Sequence, residues 1–165
     1  DMLEIVGVAD PNEFRRNQIG EYFNIPKEHR FADVNDLAAV PKFADAAING
    51  TMDDIHVSTS IPLLKAGYDI LLEKPFAVNE EEMRELIECA EENDRKIMIC
   101  FVLRYAPFYR SIKETILSGE IGRIVNIQMA EHVSYHHMST SHIRGKWRNE
   151  DQCRNNASCK MLSRY

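Results

Sequence analysis

Four short apolar runs alternate with helix-like segments along the first hundred or so residues of this 165-residue chain. The connections between successive runs are too long for hairpin turns, so we expect parallel strands with helices on both faces of the sheet. The runs are LEIVGVAD (3–10), ADAAI (44–48), YDILLE (68–73) and IMICFVL (97–103). This order predicts an α/β fold built on a doubly wound parallel sheet.

The segments between the runs carry start and stop signals of helices. Asn12 and Asn79 are suitable N-cap residues, and the acidic residues after Asn79 favour the first turn of a helix. Gly67 stands where a helix over residues 55–66 would end. These signals support a helix after each strand.

The pattern changes near residue 105. An amphipathic helix over residues 106–118 is closed by Gly119, and residues 123–135 then alternate apolar and polar side chains. Period-two alternation predicts a strand with one covered and one wetter face, as in antiparallel sheets. We therefore expect two domains: residues 1–104 form the parallel α/β domain, and residues 105–165 begin an α+β domain with an open sheet.

Charge and hydropathy argue against several classes of function. The formal net charge of −6 offers no basic surface for nucleic acid phosphates. No run approaches the roughly 20 apolar residues of a membrane span, and no basic signal region opens the chain. The four cysteines lack C-x-x-C spacing. We expect a cytoplasmic protein with no metal centre, because no fixed spacing or carboxylate partner favours one at His132, His136, His137 and His142.

Polar residues follow three of the predicted strands at their carboxyl ends, where open parallel sheets bind ligands. They are Asp10, Asn49-Gly50-Thr51 and Glu73-Lys74-Pro75. A carboxylate such as Asp10 can accept hydrogen bonds from both ribose hydroxyls of adenosine and repels a 2'-phosphate, which favours NAD over NADP. In the alternative interpretation, Asp10 only caps the helix after Pro11 and Gly50 is an ordinary loop glycine.

Lys74 is the most informative of these residues. An ammonium in a partly desolvated cleft loses part of its preference for the charged form, so it can exchange protons with a hydroxyl or carbonyl. Pro75 restricts Lys74 to extended backbone and pre-sets a turn, with a cis bond as one option. The alternative for Glu-Lys-Pro is an exposed, salt-bridged turn.

Five motifs in the same order carry a resemblance to a known family. They are VAD at the first strand end, Asn49-Gly50-Thr51 with His56, LKAGYDILLEKP, RYAPFY and SGEIGRIVNIQ. Over about 140 residues the chain resembles the glucose-fructose oxidoreductase and inositol dehydrogenase family, Gfo/Idh/MocA. The resemblance implies an NAD(P)-dependent dehydrogenase of sugars, inositol or related polyols, with a Rossmann domain and an open-sheet domain that forms homo-oligomers.

The resemblance also implies roles for individual residues. Lys74 would be the proton-relay and substrate-binding lysine. The expected cofactor contacts are Asp10 at the adenosine ribose, Thr51 and His56 on the nicotinamide side, and Glu73 at the nicotinamide ribose. Asn49 and Gly50 are further expected cofactor-binding residues, and Pro75 would set the turn. The expected substrate contacts are Arg104 and Tyr105 at the domain junction and Arg144, Trp147 and Arg148 of IRGKWR. In the alternative interpretation, Arg104 is a salt-bridged hinge residue and IRGKWR takes part in ordinary surface packing.

Two family motifs do not occur in the sequence. There is no G-x-G-x-x-G for the pyrophosphate, and no H-x-x-D that would supply the catalytic His and Asp. We expect an internal piece of a longer oxidoreductase, or the product of a damaged gene, that is inactive alone and binds NAD weakly or undetectably. The absent first strand would lie at the sheet centre and leave two neighbours unpaired.

Two other functions stay open at this point. One is an NAD-dependent glycosidase of the same family, which would retain non-exchanging NAD. The other is a non-catalytic Rossmann remnant that acts as a sensor or subunit. Net substrate-dependent NADH production would favour the dehydrogenase.

Overall fold

The computed structural model describes residues 3–130 and 132–145. The chain divides into two compact units, Asp1–Ile99 and Cys100–Tyr165. Assignment of a nucleotide-binding domain to residues 1–104 and a substrate domain to residues 105–165 stays a prediction.

The first unit alternates strands and helices, as the sequence predicts. Its strands are β1 (Val8–Ala9), β2 (Arg30–Phe31), β3 (Ala46–Asn49), β4 (Asp69–Leu72) and β5 (Ile97–Ile99). Its helices are α1 (Glu13–Tyr22), α2 (Val34–Ala39), α3 (His56–Lys65) and α4 (Glu80–Glu92), with short 3₁₀ helices at Lys27–His29 and Asp53–Ile55. The second unit contains a 3₁₀ helix at Val102–Tyr105, α5 (Pro107–Ser118), α6 (Tyr135–His137) and a π-helical turn at Met138–Ile143.

All strand pairs among the described residues are parallel. β1 pairs with β2 in one sheet, and β3, β4 and β5 form a second sheet in that order. Asn49 is level with Leu72, and Leu72 is level with Ile99. Parallel strands joined through helices confirm the predicted α/β class of Rossmann type.

Local capping chemistry explains where the helices begin and end. Asn12 Oδ1 accepts a hydrogen bond from Arg15 N at 3.0 Å, and Asn79 Oδ1 accepts one from Glu82 N at 2.8 Å. Both predicted N-caps are therefore confirmed. Gly119 ends α5 in the left-handed conformation at φ 78°, which carries little steric cost for glycine.

The core of the first unit lies between the three-stranded sheet and two helices. It is a cluster of side chains from α3, β4 and α4, with Tyr68 just before β4: Val57, Leu63, Leu64, Tyr68, Ile70, Leu72, Leu86, Cys89 and Ala90. Burial raises the pKa of the Cys89 thiol. Because strand side chains alternate between faces, Ile48 and Met98 lie on the other face of this sheet, where they are 60% and 51% exposed.

One predicted strand is wrong. Residues 124–130 form no helix or strand, and Val125 and Ile127 are 85% and 65% exposed. Alternation of side chains describes how a strand would distribute its two faces, but a strand also needs a neighbour for its backbone hydrogen bonds. No segment within the described ranges pairs with these residues.

None of the helices in the described part of the chain is long and apolar enough to cross a membrane.

Candidate functional site

The carboxyl ends of β3 and β4 lie side by side and bring two predicted motifs together. Glu73 N donates to Asn49 O at 2.9 Å, which continues the parallel pairing one residue beyond β4. The loop that starts at Gly50 and the Glu73-Lys74-Pro75 turn therefore leave the same edge of the sheet. This adjacency is the arrangement expected of a ligand site in an open parallel sheet.

Asn49 fixes the loop after β3 from inside. Asn49 is only 4% exposed. Its Oδ1 accepts hydrogen bonds from Thr51 N at 3.1 Å and from Thr51 Oγ1 at 2.8 Å. Its Nδ2 lies 3.1 Å from His56 O, 2.9 Å from Thr59 Oγ1 and 2.9 Å from Ser60 Oγ. The described contacts of this amide are internal, and they bind the loop to the first turn of α3.

His56 links the two loops through its imidazole ring. The residue is 1% exposed; Nδ1 lies 2.7 Å from Pro75 O, and Nε2 lies 3.0 Å from Thr51 O. A neutral imidazole can donate to one of these carbonyls and a protonated ring to both. Both ring nitrogens therefore face backbone groups of the two loops.

Lys74 lies half-buried in the turn after β4. Its backbone N–H donates to Glu73 Oε2 at 3.1 Å, and the Lys74–Pro75 peptide bond is cis. Gly50 and Thr51 are exposed, and a Cβ added to Gly50 would meet no atom within 4 Å. The site thus has an exposed rim, formed by Gly50 and Thr51, and a buried polar base, formed by Asn49 and His56.

Asp10 lies at the end of β1, in the other sheet. Its carboxylate accepts from Arg15 Nε at 2.8 Å, from Arg15 Nη2 at 2.9 Å and from Asn12 N at 2.7 Å. Arg16 Nη1 donates to the Asp10 carbonyl at 2.6 Å. The hydrogen bond and the charge of Asp10 raise the pKa of Arg15. Asp10 therefore holds the turn into α1, whose N-cap is Asn12, and also forms an ion pair; its contact with an adenosine ribose stays a prediction.

Sequence reasoning missed several partners in these two places. Thr59 and Ser60 were assigned only to a helix, although a polar pair facing a buried strand end signals a hydrogen-bonded network. Arg15 and Arg16 were not singled out, although both lie in the first turn of α1, five and six residues after Asp10. The distance in sequence between the end of β3 and α3 could have indicated Thr59 and Ser60, and the distance from Asp10 to the start of α1 could have indicated Arg15 and Arg16.

The predicted substrate residues belong to the second unit. Arg104 lies with its guanidinium carbon 4.4 Å from the centroid of the Phe101 ring, and Tyr105 is 62% exposed. The backbone N–H of Arg144 donates to Ser139 O at 2.9 Å after the π-helical turn. Trp147 and Arg148 lie outside the described residues. Substrate contact by these five residues stays a prediction.

Comparison with known proteins identifies the family. Residues 1–101 match the model of an oxidoreductase family with an NAD-binding Rossmann fold, Gfo/Idh/MocA. The chain belongs to this family. Oxidoreductase YteT of Bacillus subtilis, described as putative, is 30% identical over 138 residues, which are 81% of this chain and 32% of YteT. Inositol 2-dehydrogenase of Corynebacterium glutamicum is 26% identical over 125 residues, 75% of this chain and 36% of that enzyme.

Solved structures show the same fold. The WlbA dehydrogenase of Bordetella pertussis, crystallised with NADH and UDP-GlcNAcA, gives a TM-score of 0.67 at 22% identity over 73% of this chain and 34% of that one. The myo-inositol 2-dehydrogenase of Lactobacillus plantarum gives 0.67 at 19% identity over 74% and 36%. The chain thus spans about a third of the length of these relatives, and the family resemblance is confirmed.

Proposed function

We propose that this chain supplies part of the cofactor and proton-transfer site of an NAD-dependent dehydrogenase acting on a sugar, inositol or related polyol. The observation that carries the proposal is the meeting of the Thr51 loop and the Glu73-Lys74-Pro75 turn at one sheet edge. Family membership supports an oxidoreductase, and the inositol dehydrogenase among the relatives supports a polyol.

The exposed rim fits a flat, polar cofactor. At Gly50 no Cβ stands between the backbone and an approaching ring, and the open space found there is consistent with that role. The nicotinamide, when bound, supplies the hydride chemistry. Glu73 holds a ribose hydroxyl through its carboxylate, and Lys74 binds the substrate hydroxyl and moves its proton at Nζ.

NAD is the proposed cofactor, and Asp10 is the residue on which the choice depends. Ribose hydroxyls can donate to its carboxylate, which already accepts hydrogen bonds from Arg15 and Asn12. Because Arg15 offsets part of the carboxylate charge, the preference for NAD over NADP is expected to be moderate rather than absolute.

The test is a substrate-dependent assay on the gene product that carries these residues. We expect NADH to form with at least one member of a panel of inositols, aldoses and sugar acids. Lys74→Met should lower kcat by about 10²- to 10⁴-fold, the usual contribution of a proton-transfer group. Lys65→Met changes an exposed lysine on α3 and is the matched control. Absence of NADH formation across the panel, or a Lys74→Met variant with unchanged kcat, would reject the proposal.

A further inference from the structure

We propose that His56 is a positioning residue that fixes the backbone on which Lys74 is carried. This inference rests on the proposed function of Lys74. The imidazole contacts Pro75 O, one residue after Lys74, at 2.7 Å and Thr51 O at 3.0 Å. One side chain therefore connects the two loops that form the site, beyond the point where strand pairing ends.

Burial supports this assignment. His56 is 1% exposed, so its ring has exchanged water for the two carbonyl oxygens. A polar ring in such a position is costly unless its nitrogens find partners, and the carbonyl that accepts its N–H would lose that donor if the ring were replaced by an apolar group. The ring and the two loops thus depend on one another.

The same geometry separates His56 from the groups that touch reactants. The sequence predicted that His56 lines the nicotinamide side, but both of its nitrogens face backbone carbonyls from within the protein. Its effect on catalysis must therefore pass through the backbone of Thr51 and Pro75. Lys74 is the reactive group adjacent to that backbone.

Asn49 completes the support. Its Nδ2 lies 3.1 Å from His56 O, so the residue that carries the bridging ring is itself held at its main chain. The series Asn49, His56 and Pro75 runs from the end of β3 to the turn after β4. Rates are sensitive to such support because a misplacement of about 1 Å can cost about 10²-fold.

The test compares two substitutions of His56 with a matched control. His56→Phe retains a ring but removes both nitrogens, whereas His56→Gln retains an amide with two N–H groups. His29→Phe is the control, because His29 also contacts a backbone carbonyl, Val6 O at 3.1 Å, away from this site. Two quantities are measured: kcat with NAD, and the rate at which an amine-reactive reagent labels Lys74 relative to Lys65.

We expect His56→Phe to lower kcat by about 10- to 100-fold and to change the Lys74 to Lys65 labelling ratio at least about threefold, with His56→Gln closer to the parent. His29→Phe should change neither quantity. Unchanged kcat and labelling in a folded His56→Phe variant would overturn the proposal. Should that variant not fold, His56→Asn takes its place, because its shorter amide cannot span both carbonyls; parental values for it are equally decisive against the proposal.

Labelling does not require turnover, so the two proposals can fail separately. A gene product without dehydrogenase activity would reject the proposed function, and the labelling ratio would still decide whether His56 positions Lys74.

Discussion

The ends of β3 and β4 differ from the end of β1 in how their polar groups are held. Asn49 and His56 are 4% and 1% exposed, and their hydrogen bonds connect two loops from beneath. Asp10 and Arg15 form their ion pair with side chains 26% and 48% exposed. One region is thus fixed by buried hydrogen bonds, and the other is held by contacts that water can replace.

This difference suggests a division of tasks in the proposed enzyme. Proton transfer requires accurate placement, which buried and satisfied networks provide. Recognition of an adenosine ribose can tolerate exchange of partners, since exposed ion pairs contribute little to stability. Substitutions at the ends of β3 and β4 would therefore be costly, whereas substitutions near Asp10 at the end of β1 would be tolerated more readily.

The largest expected effect comes from breaking the buried network at Asn49. Asn49→Leu should lower the free energy of unfolding by about 3 kcal/mol, because Thr51 N and His56 O lose a buried partner. Urea unfolding followed by circular dichroism measures it. Asn35→Leu is the control, since the Asn35 amide makes an exposed hydrogen bond to Asp33. A loss below about 1 kcal/mol would mean that the network is weakly coupled to the fold.

The second effect concerns the exposed ion pair. Arg15→Gln should raise the preference for NAD over NADP about five- to tenfold, because the guanidinium of Arg15 then no longer offsets the Asp10 charge. The ratio of kcat/KM for the two cofactors measures this preference. Arg84→Gln removes an ion pair with Glu80 that is 2.7 Å long and more exposed than the pair of Arg15 and Asp10, and it should leave the ratio unchanged. Equal ratios in the parent and Arg15→Gln would remove Asp10 from cofactor selection.

The smallest effect sharpens the comparison at the rim. Gly50→Ala should stabilise the chain by about 0.4–1 kcal/mol, because the added Cβ meets open space and the unfolded chain loses freedom. NAD binding by the gene product that carries these residues should weaken, since the methyl group stands where the cofactor approaches. Thermal unfolding and NAD titration measure the two changes. Gly67→Ala is the contrast: its φ of +87° makes the same substitution destabilising. Unweakened NAD binding in Gly50→Ala would contradict the proposed approach.

The parts predicted well from sequence depend on local chemistry. Asn12 and Asn79 cap helices because their side chains reach N–H groups three residues ahead. Gly119 ends α5 because glycine accepts positive φ. The adjacency of the Thr51 and Lys74 loops followed from the parallel order of strands. Each of these inferences needs only neighbouring residues or one rule of topology.

The parts that were missed depend on contacts between distant residues. His56 and Pro75 are 19 residues apart in sequence. Neither the motif that contains His56 nor the Glu73-Lys74-Pro75 motif indicates that the imidazole contacts Pro75 O. The prediction of a strand at residues 123–135 was wrong for the same reason, because the alternation of apolar and polar residues does not show whether a partner strand is present. The sequence was a better guide to which residues lie close together than to which contacts they make there.

The exposed row of Ile48 and Met98 has a practical consequence for handling this chain. Sulfate and similar salts strengthen the burial of apolar surface, so they would favour association of copies of the chain through this face. Crystallisation is therefore best attempted from polymer precipitants at low ionic strength, and a lysine in place of Ile48 is a rational route to a more tractable sample.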